Sequence, residues 1–203
     1  MTDQFHDGER ELQDRFDSRR LADRVGNIIH DVFSDGDRDF LARMDMFFLA
    51  TGDAGGNLDC SYKGGEPGFL RVLNERTLAY PSYDGNGMFM SMGNVLQHPK
   101  VGMLFVDFDR QRRMRVNGTA TIRYEHPLMT EFPEAQFIVE VVAEAIFSNC
   151  PRYIHKMALV ERSVFVPKAA CETPDPEWKD HFEEALPADQ QARRATKRGG
   201  SPQ

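Results

Sequence analysis

"RRMRVNGTATIR", residues 112–123, alternates in character from one residue to the next. Met114, Val116, Gly118, Ala120 and Ile122 fall on one side, and Arg113, Arg115, Asn117, Thr119 and Thr121 on the other. A repeat of two is that of an extended strand, so the segment predicts a strand with one dry and one wet face. Its wet-face arginines leave three readings open: a solvated outer strand, a nucleic-acid stripe, or one wall of an anion pocket.

The neighbouring sequence keeps the same rhythm. "AQFIVEVVAEAIF", 135–147, sets Phe137, Val139, Val141, Ala143, Ala145 and Phe147 against Ile138, Glu140, Val142, Glu144 and Ile146. A helix competes for its alanine–glutamate end, but the β-branched content favours a strand. Upstream, "MFFLAT" (46–51), "LDCSYKGG" (58–65), "GFLRVL" (68–73), "TLAYP" (77–81) and "VGMLFVDF" (101–108) read as further strands, separated by turns such as "GDAGGN" and "SYDGNG". "VLQH" (95–98) predicts one helical turn, and "VERSVFVP" (160–167) a short extra piece.

Helices are expected mostly before the strands. Leu12, Phe16, Leu21, Val25, Ile28, Ile29 and Val32 recur at three- and four-residue spacing, which predicts a helix over 9–33 with one buried stripe. "SDGD" (34–37) breaks it, and a short helix through Phe40, Leu41 and Met44 follows. No long crossover helix lies between 46 and 125, so the strands predict a closed or nearly closed antiparallel barrel rather than a parallel sheet. The expected layout is N-terminal helices over 1–44 packed on a barrel over 45–170, then a Pro-, Glu- and Lys-rich extension over 171–203 that is partly disordered.

Composition excludes several classes of function. A net charge of -7 and a pI near 5.4 argue against a polyanionic partner, which requires a concentrated positive stripe. The 3 cysteines show no CxxC spacing, so neither a disulfide framework nor a thiolate zinc site is expected. The six scattered histidines include no HExxH, and no metal site is assigned. GxxxxGK[ST], GxGxxG and GxSxG are absent, so no NTPase, Rossmann or hydrolase chemistry is indicated. No apolar run reaches the ~20 residues of a membrane span, and a cytoplasmic location is the expectation.

Arg71 stands alone among the apolar residues of "FLRVL", where its charge needs a solvent opening or an anion. Lys63, beside Gly64-Gly65, is a weaker candidate of the same kind. Through "DCSYKGGEPGFLRVL", "YDGNGMFMSMGNVLQHPKVGMLFVDF", "RRMRVNGTA" and "NCPRYIHKM", residues 44–157 resemble the pyridoxamine 5'-phosphate oxidase-related, FMN-binding split-barrel proteins, in a bacterial subgroup distinct from the oxidase proper. The resemblance implies a mainly β fold with flanking helices: a six-stranded antiparallel Greek-key split β-barrel. It also implies a homodimer with FMN in the groove between subunits.

By the same resemblance Arg71, Val72 and Leu73 match the phosphate-binding strand of the oxidases, and Tyr80 and Pro81 the strand beneath the flavin. Ser91, Gly93 and Asn94 replace a serine-arginine-lysine turn and bring no basic residue, so some of the phosphate's counter-charge comes from elsewhere, with Lys63 and Arg113 as candidates. Arg113 stands where a glutamine reaches the flavin ring, with Arg115 on the same wet face. Arg152, His155 and Lys156 read either as a solvated helix start or as contacts to a substrate or partner subunit.

The implied activity is that of an FMN-dependent oxidoreductase on a small molecule, with NADH or NADPH as candidate reductants and no dedicated catalytic side chain. A flavin- or heme-binding carrier or sensor is the alternative, and a deazaflavin in place of FMN a further one. "WKDHFEEALPADQQ" does not match the oxidases' substrate-binding C-terminal segment, which speaks against vitamin B6 oxidation.

Overall fold

The computed structural model describes residues 4–199, which form two compact units, one ending at Val160 and the other beginning at Glu161. In the first, three helices precede the sheet: α1 (Asp7–Arg15), α2 (Arg19–Gly26) and α3 (Asp35–Leu41). Then come β1 (Met46–Gly52), β2 (Leu58–Gly64), β3 (Arg71–Val72), β4 (Thr77–Ser82), α4 (Met90–Gln97), β5 (Lys100–Asp107), β6 (Arg112–Arg123) and β7 (Phe137–Ser148). One antiparallel sheet contains all the strands in the order β2-β1-β5-β6-β7-β4-β3. There are seven strands where the resemblance implied six; β3, inside the expected strand over 68–73, is only two residues long.

The quoted segment is β6, paired on both sides. Met114, Val116, Gly118 and Ala120 are buried, and the intervening arginines and polar residues face outward. The inner face carries the core: Phe47, Leu49, Met103, Phe105, Leu78, Tyr80, Val139 and Val141 are almost wholly buried. Phe47 is its hub, in contact with the rings of Phe69, Tyr80 and Phe105. Each such side chain contributes about 1.5–3 kcal/mol on leaving water.

β7 departs from a simple alternation. Gly118 lies opposite Ala143 but Asn117 lies opposite Ala145, so Glu144 is an extra residue. This bulge changes the phase: Ile146, not Ala145 or Phe147, returns to the core. Gly118 permits the close approach, because a Cβ there would sit 2.2 Å from the Val142 carbonyl oxygen.

The predicted helix over 9–33 is two helices, since Asp17 adopts a left-handed φ of 49° between them. Its stripe is not buried: Leu12, Phe16, Leu21, Val25, Ile28 and Val32 are exposed in the single chain. Arg10 ties α1 to Asp23 of α2 at 2.7 Å. Core packing begins only at Phe33, Phe40, Leu41 and Met44. His30 adds an isolated bridge to Ile146.

"VLQH" belongs to the longer α4, and no strand forms over 160–167. In the second unit a 3-10 segment (Glu177–Ala185) leads to α5 (Ala188–Gly199), where a partly disordered tail was expected. Arg194, buried between Asp175 and Asp180, supports this local fold. Residues 200–203 of that tail lie outside the described residues.

Candidate functional site

β6 carries Arg113 and Arg115 on the outer face, as the alternation requires. Arg115 occupies a cross-strand row with Tyr62, Phe48, Leu104 and Phe147, its guanidinium carbon 5.9 Å from the Phe147 ring centre. Arg113 pairs with Val106 and lies one position beyond the last β6–β7 pair, Met114 with Ser148. Its Nε is buried without a hydrogen-bond partner, and so is Oδ1 of Asn149. A buried donor and a buried acceptor left unpaired each cost roughly 1–3 kcal/mol, a deficit that a ligand or a second subunit can remove.

Lys63 occupies the opposite side. In β2 it pairs with Phe47, so it shares the inner face with the core and not the outer face with Arg113. Asp59, Ser61 and Lys63 alternate along this face. The Ser91 hydroxyl, on a buried residue, donates to Asp59 at 2.6 Å and lies 2.8 Å from that of Ser61. Asn94 donates to Thr51 at 3.1 Å, and Gly93 is exposed on the same helix. Lys63 is half-buried and makes no hydrogen bond or ion pair among the described residues. Burial pushes its ammonium below the usual lysine range, against a weaker opposing pull from Asp59.

Arg71 is not brought to either group. Its register partners run Ala79, Glu140 and Thr121, so it reaches β6 at the far end from Arg113. The stretch of β6 between Arg113 and Thr121 is roughly 26 Å at ~3.3 Å per residue. Arg71 lies over the Phe132 ring and 3.6 Å from Glu131. Nearby Tyr83 has its phenol pushed up to about 12, chiefly by burial, then by Glu134, with Arg71 opposing. Within one chain, Arg71 therefore stands apart from Arg113 and Arg115. Strand pairing sets those positions, and sequence spacing does not reveal them.

Val72 packs against the core and Leu73 is partly exposed beyond β3. Pro81 is buried in β4, and Tyr80 is 1% exposed against Phe47, its hydroxyl unpartnered. Arg152, His155 and Lys156 are exposed on a non-helical strap after β7. Gln111 donates to the Ile154 carbonyl and Met157 N–H to Phe108, which hold the strap at the β5–β6 turn, the Arg113 end of the sheet.

Sequence reading missed Asp59, Ser61 and Asn149. The polar alternation of "DCSYK" was the available signal for the first two; Asn149 had none, being placed only by the β6–β7 register. Among the described residues there is no group of three or more His, Cys, Asp or Glu able to hold a metal, and no helix long and apolar enough to cross a membrane.

The family model of pyridoxamine 5'-phosphate oxidase matches residues 33–165, well over half of the chain. The chain belongs to this family. The sheet described above is accordingly its antiparallel split barrel with flanking helices. No protein of curated function matches.

Among solved structures, HupZ of Group A Streptococcus is similar at 19% identity and a TM-score of 0.47, over 62% of this chain and 99% of that one. HutZ, a heme storage protein of Vibrio cholerae, is 15% identical with a TM-score of 0.40, over 54% and 89%. An FMN-binding protein of Syntrophomonas wolfei is 12% identical with a TM-score of 0.40, over 70% and 95%. Likenesses this distant bear on neither ligand nor reaction, so membership of the pyridoxamine 5'-phosphate oxidase family rests on the family match.

Proposed function

We propose that this chain is an FMN-dependent oxidoreductase of the pyridoxamine 5'-phosphate oxidase family, working as a homodimer on a small-molecule substrate. The observation that carries the reading is Lys63: a half-buried ammonium, depressed by burial, with no hydrogen bond or ion pair among the described residues. Such a group is stabilised by an anion, and a phosphate beside it gains a charge-assisted hydrogen bond. Ser61, on the same face of β2, and Ser91, hydrogen-bonded to it, supply hydroxyls, while Asp59, the opposing charge, is engaged by Ser91.

The second requirement is a donor for the electron-rich part of a flavin, and Arg113 Nε, buried and unpaired, fits it. Lys63 and Arg113 lie on opposite faces of one sheet, so one bound FMN meets both only if Arg113 comes from the second subunit. The outer row of Tyr62, Phe48, Leu104 and Phe147 provides the apolar surface for that subunit. FMN, when bound, supplies the electron transfer. Lys63, Ser61 and Ser91 hold its phosphate, and Arg113 offers positive charge to the ring. Arg71 is assigned a minor part because Glu131 already pairs with it. Arg152, His155 and Lys156 are assigned to the substrate side, at the end where Arg113 lies.

Titration with FMN tests this reading. The wild type should bind about one FMN per chain, and Lys63→Met should raise Kd at least tenfold, about 1.4 kcal/mol. The same change should leave the melting temperature equal or higher, since it removes a poorly solvated charge. An affinity change below twofold would remove Lys63 from the site.

A further inference from the structure

Asp59, Ser91 and Ser61 form a hydrogen-bonded chain whose proton positions can be assigned. Ser91 is 6% exposed, and its Oγ lies 2.6 Å from Asp59 Oδ2 and 2.8 Å from Ser61 Oγ. A carboxylate has no proton to give, so the Ser91 hydroxyl donates to Asp59. A serine has a single proton, and that of Ser91 is already engaged. The 2.8 Å contact is therefore a bond that Ser61 donates and Ser91 accepts. Both hydroxyl protons run toward Asp59, and the Ser61 oxygen offers a ligand lone pairs alone.

Either reversal is unfavourable. Turning the Ser61 proton outward leaves two oxygens 2.8 Å apart with no proton between them. Turning Ser91 toward Ser61 removes the one hydrogen bond that the Asp59 carboxylate receives among the described residues. Lys63 follows two positions along the same face of β2, about 6.6 Å further at ~3.3 Å per residue. β1, which pairs with β2, and α4, which carries Ser91, have no ionisable side chain. Cys60 and Tyr62 alternate onto the other face of β2, so Asp59 and Lys63 are the charges that bear on this one.

We infer that Asp59 sets the ligand specificity of this site: acting through Ser91 it holds Ser61 as an acceptor, and the site takes a phosphate monoester in its singly protonated, monoanionic form. Such a ligand brings a negative charge for Lys63 and an O–H for Ser61. This rests on the phosphate reading above and adds which form of phosphate is bound. A dianion sets its own lone pairs against those of Ser61, with the Asp59 charge behind them. A sulfate ester has the monoanion's charge but no proton, and meets the same mismatch. Asp59 is thus a positioning residue, acting on the ligand through two hydroxyls.

The test compares FMN with riboflavin 5'-sulfate by fluorescence titration of the full-length chain at pH 6.0 and 7.5. A phosphate monoester loses its second proton near pH ~6, so the monoanion falls from about half of the ligand to about 3% over this interval. The wild-type Kd for FMN should rise at least tenfold across it, and at pH 6.0 the sulfate should bind at least tenfold more weakly than FMN. In Asp59→Asn the amide can donate to Ser91, which reverses the chain and lets Ser61 donate outward. Its FMN Kd should change less than threefold between the two pH values, with sulfate bound within threefold of FMN. Ser61→Ala removes one partly exposed hydroxyl and should also lose the preference for phosphate over sulfate; it decides the matter if Asp59→Asn does not fold.

A wild-type Kd that moves less than threefold with pH, or sulfate bound as tightly as FMN, overturns the inference. So does a tenfold pH dependence that persists in Asp59→Asn, which would assign it to Lys63. Failure of the wild type to bind FMN at either pH is a separate outcome that defeats the flavin reading. Inorganic phosphate and sulfate at equal concentration and pH 6.0 then decide the role of Asp59: a melting temperature raised by phosphate alone upholds it, and an equal response to both overturns it.

Discussion

Replacing Gly118 with alanine tests the geometry on which the sheet depends. The added Cβ would stand 2.2 Å from the Val142 carbonyl oxygen, 3.0 Å from its carbon and 3.1 Å from Val141 Cγ1. Carbon and oxygen approach no closer than about 3.3 Å without repulsion. β6 and β7 must therefore separate by roughly 1 Å at the bulge. That stretches an N–H···O bond of ~2.9 Å to near 3.9 Å, beyond useful range. Losing about two ladder bonds between buried strands, at 1–3 kcal/mol each, gives a destabilisation of ~2–6 kcal/mol.

At about 2–4 °C per kcal/mol for a unit of this size, the melting temperature should fall by ~4–24 °C. Calorimetry and circular dichroism both read this. Gly93→Ala is the control: no atom lies within 4 Å of its added Cβ in the interior of α4, and it should be neutral or stabilising. A Gly118→Ala melt within 2 °C of wild type would refute the close approach at the bulge.

The other predictions follow from single side chains. Lys63→Met should weaken FMN at least tenfold without loss of stability, as set out above. His30 gives a pH dependence. Its Nδ1 faces the Ile28 carbonyl at 2.9 Å and its Nε2 the Asp37 carboxylate at 2.8 Å, both acceptors, so only the imidazolium satisfies both. Burial opposes the charge, but those bonds, with Asp31 nearby, raise the ring above its ordinary 6.5. Asp31 is itself paired with Arg76 at 2.9 Å. The contribution is complete below about pH 6.5 and fades as pH rises through the raised value. Asp37 has the opposite sign: burial opposes ionisation, yet its bonds to Ser34 and His30 hold it low, so its share is lost only in acid. His30→Gln should therefore lower the melting temperature more at pH 5.5 than at pH 8.5; an equal loss at both would refute the imidazolium.

How much of this was legible in the sequence depended on the range of the interaction concerned. Residues 112–123 were readable because alternation is local and both faces of β6 obey it. In β7 the strand was readable but the bulge was not. Glu144 looks like any outward residue until Gly118 lets Val142 come close. The stripe from Leu12 to Val32 predicted one helix, but nothing in its spacing marks the left-handed turn at Asp17 or the exposure of its apolar side. Arginine and lysine types at 63, 71 and 113 suggested an anion site. Their separation onto two faces and two ends of the sheet follows from pairing between strands distant in sequence.

The most direct test of a site shared between subunits is complementation. Lys63→Met and Arg113→Ala chains, co-expressed with different tags and purified as the mixed dimer, should bind one FMN per dimer at near wild-type affinity, although each parent dimer binds weakly. A mixed dimer that binds no better than its parents would place both side chains in the same chain's site, or outside any site, and contradict the account.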